Sequence, residues 1–418
     1  MKVSTSAGIA IEAEAVIPDG VTSSRRAVEP PLSIVSGSGA RVTDADGNVF
    51  IDYVGGAGAV PLGHAHPGVA EAVARALRDG TTFGLGVTRE EVELAARLVE
   101  EFPSADMVTF ANSGTEANLV AARIARATTG RDTIVTLAEC YHGHERLGTT
   151  RQARYNDPDS VTAALATGGV AAVILEPVAH NCCGTIEPAY GFLEAVRESC
   201  DTHGALLIFD EVMSWRHAAG GYQALAGVRP DITTTGKGLA NGLPIGVVAG
   251  RRKPMSALVS GPRATMHFGT FNGNRASVAA ALATLRAFED GTARARMNSL
   301  GEDLREGLRA LVQDAGIAAA VTGYGSVFSL VPLVEAGELR SVRDVARIDD
   351  GLLAGYRLEL RKRGVLEKPD RDGLRGHVSA AHTPAHVELS LSAARSALRA
   401  ALDARSIQHG LGAAEATD

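Results

Sequence analysis

The sequence predicts an α/β protein: a large domain built on a mostly parallel sheet, with a smaller α+β domain attached. Three observations predict it. From about Asp106 to Gly250, short apolar runs alternate with longer helical stretches, the signature of parallel strands covered on both faces. Beyond about Gly291 that alternation gives way to amphipathic helices around a single strand-like run. And 418 residues are too many for one compact core.

Along the chain, "GARVTDADGNVFIDYV" (Gly39 to Val54) reads as a hairpin turning at Asp46-Gly47. "MVTFA" is a strand that leads into a helix through Glu116 to Thr128. "TIVTLA", "AAVILEP", "ALLIFDE" and "IGVVAG" are further strands bounded by glycine, proline or acidic residues, and "PDITTTG" is another. Helices are expected over Tyr190 to His203 and Asn274 to Glu289. In the last third, Met297, Leu300, Leu304, Leu308 and Leu311 fall at helical spacing. The strand-like "GSVFSLVPL" follows, then helices from Asp349 to Arg363 and from Pro384 to about Asp403. The tail from Ser406 is rich in small and polar residues and is expected to fray. The expected division is an N-terminal segment, 1–60, packing with the small domain, a large domain over 61–290, and a small C-terminal domain over 291–418.

Bulk properties exclude several classes. A hydrophobic content of 45% with 21% charged residues is ordinary for a soluble globular protein. A net charge of −7 without a long basic run argues against nucleic acid as a partner. There is no apolar run long enough to span a membrane, and the N-terminus makes a poor signal peptide, so a cytoplasmic location is the default. The four cysteines have no CxxC spacing, and Cys182 and Cys183 are adjacent. Reduced thiols are expected rather than a disulfide framework.

Open parallel sheets bind ligands at the carboxyl ends of their strands, and three constellations fall there. "ANSGTEAN" follows the strand "MVTF" and opens a helix, so Ser113, Gly114 and Thr115 present backbone N–H groups and two hydroxyls where a phosphate is well held. A plain helix cap has the same sequence. "LLIFDEV" ends an apolar strand on Asp210 and Glu211, and an acid there calls for a cation, a metal or a protonated ring nitrogen. Lys237, in "TTTGKGLANGLPIG", follows a strand and stands between glycines. It is not in a Walker loop, because Gly238 occupies the Ser/Thr position. An amine, an acid and a phosphate turn together suit pyridoxal 5′-phosphate.

Six motifs, "NSGTEA", "YHGH", "EPV", "FDEV", "GKGLANGLPIG" and "GTFNGN", come in an order and spacing that resembles the class III aminotransferases. These are fold-type I pyridoxal-phosphate enzymes, and the likeness runs from about Pro18 to Ala400. "IPDGVTSSRRA" and "YVGGAGAVPLGHAHP" resemble the branch holding glutamate-1-semialdehyde aminomutase and the β-amino-acid aminotransferases. The resemblance implies a large domain with a seven-stranded sheet. It makes Lys237 the Schiff-base lysine and Asp210 the acid that keeps the pyridine nitrogen protonated, with Val212 behind the ring. Ser113, Gly114 and Thr115 become the phosphate cup, Tyr141 the stacked aromatic residue and Asn181 the partner of the ring oxygen. Thr270 matches a threonine that reaches the phosphate of the other subunit, which implies a homodimer with shared active sites.

The remaining candidates concern substrate. A carboxylate substrate calls for an arginine fork; Arg26, with Arg25 as its one-residue alternative, and Arg375 in "GLRGHVSAAH" match such positions in this branch. Trp215 is a pocket or core residue. His142 and His144 would share a strand face and resemble metal ligands, but the family likeness makes Tyr141 the functional residue there, and the "GHAHP" histidines read as turn and core. No metal is expected. Two departures argue against an aminomutase: only a short segment separates "YHGHE" from "YND", where aminomutases carry a longer lid, and "VMSWRHAAGG" is also shorter. The expected reaction is transfer of an amino group from a β-amino or related carboxylic acid to a keto acid, in ping-pong half-reactions. A glutamate-1-semialdehyde-type 2,1-aminomutase and an amino-acid racemase or isomerase are the alternatives. A silent cofactor-binding protein would lack Lys237 or Asp210, and a nucleotide-binding protein would need a glycine fingerprint opening a helix, which "SGSGA" does not.

Overall fold

A computed structural model describes residues 1–182, 184–259, 263–368 and 375–415, with side chains up to residue 405. Cys183 and part of the "GLRGHVSAAH" stretch therefore lie outside the described residues. The chain forms two compact units. One comprises Met1–Ala57, Gly63–His66 and Met297–Asp418, the other Gly58–Leu62 and Pro67–Arg296.

In the first unit, β1 (Ile34–Ser38), β2 (Arg41–Asp44) and β3 (Val49–Asp52) form an antiparallel meander. The Asp46-Gly47 turn closes as expected, because Asp44 accepts the N–H groups of Asp46 (3.0 Å) and Asn48 (2.7 Å). An N-terminal helix, Ser4–Glu14, had no clear periodicity to announce it. Asp46 holds its first turn, accepting the N–H groups of Thr5 (2.8 Å) and Ser6 (2.9 Å), where a carboxylate opposes the helix dipole favourably.

The second unit carries the large sheet. Its strands are β4 (Met107–Ala111), β5 (Thr133–Leu137), β6 (Thr150–Ala153), β7 (Val170–Leu175), β10 (Leu206–Asp210), β11 (Ile232–Gly236) and β12 (Gly246–Gly250). A small hairpin, β8 (Ala179–Cys182) with β9 (Gly184–Ile186), follows β7. The seven strands run in the order β4-β12-β11-β10-β7-β5-β6. β12 is antiparallel to both its neighbours, and the other pairings are parallel. Every residue of β7, β11 and β12 is buried, which explains their unbroken apolar or threonine sequences. The helix Gly114–Thr129 lies against the sheet through Ala117, Val120, Ala121, Ile124 and Ala125, all nearly inaccessible. Its small side chains let the backbone approach the strands closely.

The rest of the first unit contains the expected leucine stripe. Met297, Leu300, Leu304, Leu308 and Leu311 are all buried in the helix Thr292–Ala315. The leucines pack with Tyr53, Phe328, Leu330, Tyr356 and Leu398 in a single core. β13 (Ala319–Thr322), β14 (Val327–Pro332) and β16 (Gly376–His377) form a second small sheet, and β15 (Val365–Leu366) extends the first meander in parallel with β3. The last helix runs from Pro384 to Glu415, beyond the end expected at about Asp403. Among the described residues no helix is long and apolar enough to cross a membrane.

Leu304→Ala should open a cavity at the centre of the first unit's core, where Leu304 is 2% exposed. The expected loss is about 2–5 kcal/mol in a denaturant titration of that unit's transition. A loss below about 1 kcal/mol would show that the leucine stripe is not the packing element described here.

Candidate active site

Five of the six parallel strands deliver a candidate residue at the same carboxyl edge of the large sheet, where open α/β sheets hold their ligands. β4 leads to Ser113, β5 to Tyr141, β7 to Glu176 and Asn181, β10 ends on Asp210, and β11 leads to Lys237.

Ser113 caps the helix Gly114–Thr129, its hydroxyl accepting the N–H of Glu116 at 3.1 Å. The N–H groups of the first helical turn have no acceptor inside the helix. The cap reading and the anion-site reading therefore describe the same geometry. Glycine is required twice around this turn. A side chain at Gly246 would run into the Ser113 carbonyl, and one at Gly143 would begin 2.5 Å from the Thr115 hydroxyl. These two positions leave a narrow cradle in front of the helix.

Asp210 is 3% exposed and accepts three hydrogen bonds. Asn118 Nδ2 (2.7 Å) and His142 Nδ1 (2.8 Å) donate to Oδ2, and the Val212 N–H (3.1 Å) donates to Oδ1. Asn118 is itself fixed, accepting the Thr234 hydroxyl at 2.6 Å and donating to the His142 carbonyl at 3.0 Å. His142 and His144 do not share a strand face. His142 is buried against Asp210, with its Nε2 atom buried and unbonded, while the His144 side chain is 75% exposed. No cluster of three or more His, Cys, Asp or Glu side chains suited to a metal occurs among the described residues.

Glu176 is a second buried carboxylate, and it joins two candidates. Its Oε1 accepts the Tyr141 N–H at 2.8 Å, and both its oxygens accept the Asn181 amide at 2.9 Å. Burial, reinforced by the charge of Asp210, pushes its carboxyl up from the usual range. Glu211, beside Asp210, is also raised by burial, but it has a different job. It gathers Ser214, Tyr222 and Gln223 into the turn that starts a short helix.

Lys237 is half-buried and adopts φ +45°, the left-handed region that non-glycine residues rarely enter. Such conformations concentrate at functional sites. Its Nζ donates to Met213 Sδ at 3.3 Å. Val212 lies over Gly114, and Tyr141 is 40% exposed. Thr270 is exposed on a loop tied to the cradle through Asn272, which accepts from Asn112 at 3.0 Å.

Trp215 departs from a substrate role. It is 2% exposed, its indole N–H donates to Glu101 at 3.0 Å, Arg294 lies over its ring and Phe288 meets it edge-on. Those contacts make it a core residue. Arg26, exposed and bonded to Thr22, and Arg375, buried, belong to the other unit. Cys140 and Cys200 are free thiols, and burial pushes the Cys200 thiol up to about 12.

The residues brought together fit pyridoxal 5′-phosphate. Lys237 offers an amine, Asp210 a buried carboxylate, and the helix start a phosphate cradle kept open by glycine. Asn118, His142, Glu176 and Met213 complete the arrangement without having been singled out for it. "NSGTEA" stops one residue short of Asn118, and "EPV" marks Glu176 without its partners.

Comparison with known proteins agrees. The family model for class III aminotransferase matches residues 22–158 and 147–353. Glutamate-1-semialdehyde 2,1-aminomutase of Sorangium cellulosum is 40% identical, over 93% of this chain and 94% of its own length. Among solved structures, an omega-transaminase from Sphaerobacter thermophilus superposes with a TM-score of 0.88 at 32% identity, covering 95% and 98% of the two chains. A β-phenylalanine aminotransferase from Variovorax paradoxus gives 0.86 at 31%, covering 94% and 93%. A glutamate-1-semialdehyde aminomutase from Pseudomonas aeruginosa, solved in complex with PMP, gives 0.86 at 29%, covering 94% of both chains. With a seven-stranded, mostly parallel sheet and these matches, the chain belongs to the class III aminotransferases, enzymes of fold type I.

Proposed function

We propose that this protein is a pyridoxal-phosphate-dependent aminotransferase that moves an amino group from a β-amino or related carboxylic acid to a keto acid. The observation that carries transfer over isomerisation is the connection after the "YHGH" turn. Only five residues separate His144 from β6, and Leu147 among them is buried with its carbonyl held by Arg126. An enzyme that isomerises one molecule must retain its intermediate, and a pinned five-residue connection provides no lid for that. The aminomutases among the relatives keep the alternative open to test, and a racemase would likewise need no acceptor.

When bound, the cofactor supplies an electron sink for the carbanion formed at the substrate carbon. The chain's residues do the rest. Asp210, fixed by Asn118, His142 and the Val212 N–H, holds the ring nitrogen. The N-terminal turn at Ser113, Gly114 and Thr115 holds the phosphate. Tyr141 would cover one ring face and Val212 the other, and Asn181 would meet the ring oxygen. Lys237 would hold the cofactor through its amine, and its Nζ would carry the proton to and from the substrate carbon. Arg26 and Arg375 are the candidates for the substrate carboxylate.

A homodimer sharing its sites supports the role of Thr270. Phe83, Leu85, Val87, Met266, Phe268 and Phe271 are 57–91% exposed. Arg275 links the two segments, lying over the Phe83 ring and bonding the Thr81 carbonyl. Large apolar side chains exposed in both segments suit burial against a second copy.

Lys237→Ala should abolish both the visible band of the lysine-bound cofactor and turnover; retention of both would remove the central assignment. Wild-type enzyme should consume an amino donor only with a keto acid such as pyruvate or 2-oxoglutarate present. Conversion without any acceptor would point instead to the aminomutase or racemase. Leu85→Asp with Phe268→Asp should shift sedimentation from dimer to monomer and weaken phosphate-dependent cofactor binding about tenfold or more. An unchanged dimer would place the interface elsewhere.

A further inference from the structure

Two buried histidines outside the assigned site meet each other. His180 lies on β8 and His217 ends the turn Ser214–His217. Their Nε2 atoms are 3.1 Å apart, the ring centroids 5.2 Å, and the residues 1% and 3% exposed. Two bare ring nitrogens at that distance would oppose lone pairs, and two N–H groups would oppose hydrogens. The contact is favourable only with one hydrogen between the rings, one imidazole donating and the other accepting.

The two elements it joins both carry site residues. They follow β7 and β10, which are adjacent in the sheet. On the β8 side, the His180 N–H donates to Glu176 Oε2 at 3.2 Å, and the next residue, Asn181, donates to both oxygens of that carboxylate. The His180 ring is further fixed by the Thr185 hydroxyl at 3.3 Å. On the β10 side, His217 closes the turn that begins just after Met213, the residue in contact with Lys237 Nζ and three positions past Asp210.

We propose that His180 and His217 are positioning residues, a pair sharing one hydrogen that fixes the Asn181 hairpin against the Asp210–Met213 turn. The pair thereby sets the angle at which Asn181 meets the ring oxygen of the cofactor. A pair of apolar side chains would hold the loops together by contact area alone; the imidazoles add a directed bond with one allowed geometry. This inference rests on the assignment of Asn181 under the proposed function.

The test is a pH titration of the visible cofactor band in the wild type, His180→Ala, His217→Ala and the double variant. The bond between Asn181 and the ring oxygen influences that titration, so each single variant should move the midpoint the same way by about half a unit or more, a threefold change in the equilibrium. Because the two act as one link, the double variant should move it no further than the larger single. His217→Gln, whose amide can bond His180, should return the midpoint toward that of the wild type. Midpoints unchanged in all variants, or shifts that add in the double, would overturn the pairing. Should the alanine variants fail to fold, nitrogen–nitrogen coupling across the shared hydrogen in 15N-histidine-labelled wild-type enzyme decides: its presence supports the link and its absence overturns it. A wild type without the visible band would instead sink the proposed function itself.

Discussion

A carboxylate at the end of a buried strand must be met by donors, and at Asp210 that requirement organises the whole carboxyl edge. Leaving one of its oxygens unsatisfied would cost about 1–3 kcal/mol, more for a charged group. The chain answers with Asn118 from the helix after β4, His142 from the turn after β5 and the N–H of Val212. Asn118 also takes the Thr234 hydroxyl from β11. One carboxylate thus ties together segments following three strands and, through Asn118, reaches β11 as a fourth, and the cradle at Ser113 and the turn at Tyr141 are fixed as by-products. Glu176 repeats the device on a smaller scale for Tyr141 and Asn181.

Much of this arrangement was legible in the sequence, and the exceptions have physical reasons. Buried strands announce themselves as unbroken apolar runs, so β4, β5, β7, β10 and β12 were all expected. Their direction was not, because "IGVVAG" would read the same in either orientation; β12 turned out to be the antiparallel member. β6, "TRQA", was missed because an edge strand with alternating exposure carries no apolar run. Lys237, Asp210 and the Ser113 turn each stand at or just past a strand end in the sequence, and the structure brings them to one edge of the sheet. Asn118, the one polar residue among the buried positions of its helix, has no such signal. The sequence offers His142 as a metal ligand, and its burial against Asp210 gives it a different partner. His180 and His217, 37 residues apart, could be associated only in three dimensions.

The comparisons and the site speak to different questions. A sequence relative at 40% identity is an aminomutase, while the solved structures that superpose well include transaminases and an aminomutase alike. The machinery common to both reactions (amine, acid and phosphate cradle) is what such similarity measures. What separates them is whether an intermediate is retained or released, and that lies in short connections that contribute little to an overall score. The five-residue link between His144 and β6 is one such connection, and it is the one on which the proposed function rests.

The central claim is that Asp210 serves the cofactor ring rather than the fold. Asp210→Asn keeps the shape and the Oδ1 acceptor while removing the charge. The decisive measurement is the single-turnover rate with excess amino donor, alongside the unfolding free energy of the cofactor-free variant. A fall in rate of about a hundredfold or more, equivalent to about 2.7 kcal/mol in the barrier, with a folded and cofactor-loaded protein, is the predicted result. A rate within about threefold of the wild type would contradict the account.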